Sequence, residues 1–128
     1  MNALVTTKDG TWLVDLETEE LVTSVGAPVT PEQLELELPL LVGAAAAGST
    51  VVAVVDRRPP LVVSHDAGRT WHESGGGLPK GIAVAIDDTN PDRMLYAARN
   101  RLFLSQDGGR FWHALVLELP EITAVAFA

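Results

Sequence analysis

The residues best suited to chemistry lie in two stretches of the chain that share one motif. Residues 61–71 read LVVSHDAGRTW, and residues 102–112 read LFLSQDGGRFW, 41 positions later. Both contain Ser-x-Asp-x-Gly-Arg-x-Trp, a pattern too long to recur by chance. A carboxylate in a turn accepts hydrogen bonds from backbone N–H groups, and glycine permits a positive φ. We therefore expect structural turns, whose candidate residues are Ser64, Asp66, Gly68, Thr70, Trp71, Ser105, Asp107, Gly109 and Trp112.

Catalysis on glycans would need other groups. A tyrosine nucleophile requires a helping glutamate and a set of arginines that binds the substrate carboxylate. Tyr96, the only tyrosine, lies within MLYAA, where packing in a sheet is the simpler interpretation. Chemistry with two carboxylates stays open because the chain has 17 acidic residues. No pair stands out, and the run Glu17, Glu19 and Glu20 is interpreted as a solvated turn.

Metal-ligating residues are sparse and far apart. The chain has no cysteine and three histidines. His72 and His113 each follow the tryptophan of one stretch, so they occupy equivalent places in separate repeats, which argues against one shared metal site. The acidic run DDTNPD does not have the spacing of an EF-hand loop, and no glycine-rich phosphate loop precedes a helix. We expect no metal and no cofactor.

The two stretches belong to a repeat of about 40 residues. Leu-Pro pairs occur at 38–39, 78–79 and 119–120, each followed by a run of small and apolar residues. Four short apolar runs, separated by Gly, Asn and Asp, fill each period, which is the size of a four-stranded propeller blade. The sequence predicts strands A to D at 42–46, 51–55, 61–64 and 70–73, and again at 82–86, 94–98, 102–105 and 111–115. Residues 31–38 alternate Leu and Glu, which favours a strand or an extended loop.

These repeats resemble the Asp-box, or bacterial neuraminidase repeat, whose pattern is Ser-x-Asp-x-Gly-x-Thr-Trp. SHDAGRTW matches it, and SQDGGRFW departs only at Phe111. The resemblance implies an all-β propeller of four-stranded antiparallel blades, with each box at the turn between strands C and D. The family includes sialidases, xyloglucan-active glycosidases, sortilin-type receptors and photosystem assembly factors, so the resemblance implies no single function. The Arg-Ile-Pro signature of sialidases is missing.

The strand count predicts how the blades are completed. Residues 1–38 supply strands B, C and D at 3–6, 11–15 and 21–24 without a strand A, whereas blades 39–78 and 79–119 are whole. Residues 120–128 offer a strand A, at 123–127, with nothing after it. Three blades are too few for a closed ring. We therefore expect a single propeller segment that donates its last strand to a neighbouring chain, giving six blades in a homodimer, with a trimer as the second choice.

Charge bears on partners and on location. The net charge of −8 makes nucleic acid and anionic membranes poor partners, and the longest uncharged apolar stretch, 39–55, is too short and too interrupted to span a membrane. No signal peptide is visible, so a cytoplasmic protein is expected, with secretion left open. The loops between strands B and C hold five of the nine basic residues. These loops would form a modestly basic face for an anionic partner, with Lys8, Arg57, Arg58, Arg99 and Arg101. The acidic residues of the neighbouring loops would dilute the positive charge of this face; they are Glu32, Glu35, Glu37, Glu118 and Glu121.

Three functional hypotheses follow. The first is a non-catalytic binding or scaffolding module for an unknown protein or glycan. The second is a glycan-active hydrolase, sialidase-like or xyloglucanase-like, built on the same blades. The third is a structural fragment of a longer propeller. The missing nucleophile cluster, metal ligands and phosphate loop favour the first.

Overall fold

The computed structural model describes residues 1–31 and 33–128, and within them every regular element is a strand. This confirms the all-β prediction. Most predicted strands agree with the observed ones to within one or two residues at their ends. The strands are β1 (Asn2–Thr7), β2 (Gly10–Asp15), β3 (Glu20–Val25), β4 (Leu41–Ala47), β5 (Thr50–Val55), β6 (Leu61–Ser64), β7 (His72–Ser74), β8 (Ala83–Asp87), β9 (Asn90–Ala98), β10 (Arg101–Ser105), β11 (His113–Glu118) and β12 (Ile122–Phe127).

The strands form three four-stranded antiparallel sheets. The N-terminal sheet has the order β12-β1-β2-β3, the middle sheet β4-β5-β6-β7, and the C-terminal sheet β11-β10-β9-β8. Short runs of Val, Leu, Ile and Ala between turn residues explain the strands, because β-branched and aliphatic side chains pack well on a pleated sheet. Each sheet therefore has the four-stranded antiparallel form expected of a blade.

The last strand completes the first sheet of its own chain, which differs from the expected donation to a neighbouring chain. β12 pairs with β1 in the register Ala3↔Phe127 and Val5↔Val125. Its position is fixed by the short connection that precedes it, since Lys8 N–H donates to the carbonyl oxygen of Glu121 at 3.0 Å. The strand count predicted which strand was missing, but it carried no information on which copy of β1 would receive it.

Two apolar cores join the sheets, and β8 lies beside both β4 and β12. Val5, Leu95, Leu102, Leu115 and Ile122 are among the fully buried residues between the N-terminal and C-terminal sheets. Between the middle and C-terminal sheets, the buried residues include Val52, Val63, Met94 and Tyr96. The C-terminal sheet is therefore the centre of the molecule.

A long connection covers the remaining face of the middle sheet. We call residues 29–31 and 33–38 the strap; Glu32, expected to dilute the basic face, lies outside the described residues. Leu34, Leu36 and Leu38 pack against a buried patch that includes Ala53 and Val62, while Glu35 and Glu37 face solvent. At the other end of the strap, Val29 N–H donates to Thr6 Oγ1 at 2.8 Å. Thus a connection of the chain itself covers this apolar face of the middle sheet.

The described residues contain no helix that could cross a membrane.

Candidate functional site

The first of the two motif turns, 64–71, is held by its aspartate. Asp66 accepts hydrogen bonds from the Thr70 hydroxyl at 2.6 Å, from Thr70 N–H at 2.8 Å and from the Ser64 hydroxyl at 2.7 Å. These donors, the Thr70 hydroxyl foremost, hold the pKa of the Asp66 carboxyl well below its usual range. Gly68 has a φ of 89°, in the region that glycine adopts without steric cost. Both oxygens of this carboxylate are therefore engaged in the turn.

In the second motif turn, 105–112, the aspartate accepts hydrogen bonds through only one of its two carboxylate oxygens. Asp107 Oδ1 accepts from Ser105 Oγ at 2.9 Å, Arg110 N–H at 3.1 Å and Phe111 N–H at 3.0 Å. Phe111 N–H is the largest cause of the lowered pKa of Asp107. Phe111 has no hydroxyl to offer, so the bond that Thr70 makes to Oδ2 of Asp66 has no counterpart here.

The two motif tryptophans have different surroundings. Trp112 Nε1 donates to Ser74 Oγ at 3.0 Å, and the Ser74 hydroxyl donates in turn to the carbonyl oxygen of Gly109, which joins the C-terminal sheet to the middle sheet. Trp71 packs instead beside the strap. The second turn therefore links two sheets, whereas the tryptophan of the first packs on the same apolar patch as the strap.

Tyr96 is committed to the interior. Its side chain is fully buried, and its hydroxyl donates to the carbonyl oxygen of Pro79 at 2.7 Å. Burial raises the pKa of Tyr96 to about 12. A phenol that is buried, hydrogen-bonded as a donor and hard to ionise is a poor nucleophile, which agrees with the packing role expected from the sequence.

Glu19 was wrongly interpreted as part of a solvated turn. Its carboxylate reaches from the N-terminal sheet to β11, where Oε1 accepts from Val116 N–H at 2.7 Å and Oε2 lies 2.9 Å from His113 Nε2. The bond to His113 is the largest cause of the lowered pKa of Glu19. The partners lie more than 90 residues away in the sequence, so local spacing gave no signal for this link.

Acidic partners occupy part of the predicted basic face. Arg57 forms an ion pair with Glu73 at 2.9 Å, and Arg101 forms one with Glu118 at 2.7 Å. Lys8, Arg58 and Arg99 are exposed on their loops. The five basic side chains are thus distributed over the turns of all three sheets, and two of them are neutralised within the chain.

The innermost strands of the three sheets enclose a cavity of about 610 Å³, which we call the axial cavity. Its walls are β4, β8 and β12, and the strap contributes Thr30, Pro31, Gln33 and Leu34. β4, β8 and β12 are edge strands, so each presents backbone groups that no neighbouring strand pairs. Among the described lining residues, Asp88 is the only ionisable one. Sequence reasoning missed this cavity because it depends on how the sheets meet.

Elsewhere in the described chain, no three His, Asp or Glu side chains come together as metal ligands. No family model matches the sequence, and no curated protein matches it.

Proposed function

We propose that the chain is a non-catalytic binding module, built as three blades of a β-propeller of the Asp-box kind, with its ligand in the axial cavity. The observation that carries this proposal is the convergence of three unpaired strand edges on one cavity. A volume of about 610 Å³ lies within the range of small-molecule sites. Unpaired backbone N–H and C=O groups can form hydrogen bonds to a ligand there, and these bonds need no charged side chain.

The lining selects the class of ligand. Val42 and Ile82 are each about half exposed at the cavity wall, and Phe127 lies on the third strand. Asp88 is the one ionisable side chain among the described lining residues, so an anion would meet a carboxylate and no cation. The cavity therefore disfavours anions and suits a ligand with an apolar body and a few hydrogen-bonding groups. Scaffolding of a protein partner through the same cavity requires a segment of that partner without acidic side chains.

The geometry supports hydrolysis of glycans less well. Tyr96 is buried, and its hydroxyl donates a hydrogen bond to the backbone carbonyl oxygen of Pro79. Asp66 and Asp107 are held by the backbone of their turns. A two-carboxylate mechanism needs a pair of acidic groups flanking the substrate, and the described lining of the axial cavity supplies Asp88 alone.

A pair of related dyes tests the cavity. N-phenyl-1-naphthylamine is uncharged and fluoresces more strongly in apolar surroundings, and 8-anilinonaphthalene-1-sulfonate adds a sulfonate to the same skeleton. We expect saturable enhancement with the neutral dye, and at least about tenfold weaker binding of the anion, because about 1.4 kcal/mol of repulsion and lost solvation suffices for that factor. Val42→Trp fills the cavity from a partly exposed position and should abolish the enhancement.

Val116→Trp is the matched control, since Val116 is 75% exposed and lies outside the cavity lining. Binding that is unchanged in Val42→Trp, or that favours the anionic dye, would refute the cavity as the site. Fluorogenic sialosides and β-glucosides test the rival hypothesis. Turnover that a single carboxylate substitution abolishes would establish a hydrolase in place of a binding module.

A further inference from the structure

One of the hydrogen-bond differences between the two motif turns leaves a carboxylate oxygen without a partner in the second turn. In turn 64–71, the Thr70 hydroxyl occupies Oδ2 of Asp66 at 2.6 Å. In turn 105–112 the same position is Phe111. Within the part of the chain that the structure describes, the hydrogen bonds to the Asp107 carboxylate all end on Oδ1. Oδ2 therefore keeps its lone pairs for a donor from outside the turn.

The same substitution places an aromatic ring in solvent beside a surface pocket. Phe111 is 79% exposed, which is unusual for so large an apolar side chain. Phe111 and Asp107 line a pocket of about 420 Å³ together with Leu104, Gln106, Trp112 and His113. This pocket shares no residue with the axial cavity. An exposed ring and an unengaged carboxylate oxygen thus border one concave surface.

The backbone at Phe111 and the side chains of Trp112 and His113 are held in this pocket by hydrogen bonds within the chain. Phe111 N–H is bonded to Asp107, Trp112 Nε1 to Ser74 Oγ, and His113 Nε2 to Glu19. Preorganised groups bind more tightly because less side-chain freedom is lost when the ligand arrives. Arg110 is exposed and does not line the pocket.

We propose that the Phe111 pocket binds an arginine side chain of a protein partner. A guanidinium group donates hydrogen bonds to a carboxylate in a planar geometry and stacks on aromatic faces, so it uses both features at once. Lysine offers only a point charge. The chain's net charge of −8 attracts a cationic partner over longer range and speeds the encounter. This proposal stands independently of the axial cavity and its ligand.

The test uses the full chain, labelled with ¹⁵N, and two short peptides. Acetyl-Gly-Arg-Gly-amide is the probe, and acetyl-Gly-Gln-Gly-amide is its uncharged counterpart. We expect the arginine peptide to cause saturable shifts in the amide signals of residues 106–113 and in the Trp112 indole signal, with a Kd on the order of millimolar. The glutamine peptide should cause no such shifts, and neither should methyl β-glucoside, which tests whether the pocket binds a sugar instead.

Phe111→Thr is the decisive variant, because it recreates turn 64–71 and lets a hydroxyl occupy Oδ2 of Asp107. We expect arginine-peptide binding at least tenfold weaker, with the rest of the spectrum unchanged. Val116→Ala, an exposed apolar position outside the pocket, should bind as the unmodified chain does. Equal shifts from both peptides, unaltered binding in Phe111→Thr, or shifts from the glucoside as large as those from the arginine peptide would each overturn the proposal.

Discussion

Removing residues 122–128 should abolish cooperative folding of the chain. The deletion takes away Ile122, which is fully buried, and Val125, which is nearly so. Burial of two such side chains contributes roughly 3–6 kcal/mol. The deletion also leaves the β1 edge unpaired, since β12 is its partner on that side. Because a domain of this kind is stable by only about 5–15 kcal/mol, we expect most or all of that stability to be lost.

Thermal unfolding monitored by circular dichroism measures this loss. Removal of Ala128 alone is the matched control, because it deletes one exposed residue and a single backbone bond, Ala128 N–H to the carbonyl oxygen of Asn2. That variant should melt within a few degrees of the full chain. If the chain ending at Glu121 kept the full chain's melting temperature, β12 would not be an integral strand of the N-terminal sheet.

Gly81→Ala should lower the melting temperature by roughly 5–15 °C, the equivalent of about 1–3 kcal/mol of overpacking. A methyl group there would lie 2.6 Å from Cζ of Tyr96 and would also overlap the carbonyl oxygen of Ala97. Neither neighbour can yield easily. The Tyr96 hydroxyl is bonded to Pro79, and the Ala97 carbonyl accepts from Ile82 N–H at 3.1 Å.

Gly76→Ala provides the comparison within the same connection between β7 and β8. Its added methyl group would meet nothing within 4 Å, so we expect a change of at most about 0.5 kcal/mol. Differential scanning calorimetry of both variants gives the contrast directly. Equal melting temperatures for the two variants would show that the close packing of Gly81 against Tyr96 is not present in solution.

The sequence predicted the elements better than their partners. Residues 61–64 were predicted as a strand and are β6, because apolar residues bounded by turn residues specify a strand locally. The hairpin after β8 was predicted too long: Asp87 pairs with Asn90, so β9 begins inside the presumed turn. The strand predicted at 70–73 begins two residues later, as β7 at His72, because the Thr70 hydroxyl donates a hydrogen bond to Asp66 within the turn.

The same contrast between local and distant interactions holds for the candidate sites. The hydrogen bonds of Asp66 and Asp107 lie within a few residues of each aspartate, so a local sequence pattern can carry the signal for them. By contrast, three features join segments that are distant in the chain, and no local pattern reports them. They are the hydrogen bond from β11 to Glu19, the packing of Leu36 on the middle sheet, and the axial cavity. Phe111 was visible in the sequence as the one departure from the motif, but its 79% exposure and the unengaged oxygen of Asp107 required coordinates.

Closure of the N-terminal sheet within one chain matters most, because β12 of that chain forms one wall of the axial cavity. Leu4 and Ala126 are directly paired across β1 and β12, close enough for a disulfide. The chain has no cysteine of its own, so Leu4→Cys with Ala126→Cys introduces the only thiols. After oxidation at low concentration, denaturing non-reducing electrophoresis should show a cross-linked monomer, faster than the single variant Ala126→Cys. A covalent dimer as the main product would show that β12 is exchanged between two chains, and would contradict its pairing with β1 of the same chain.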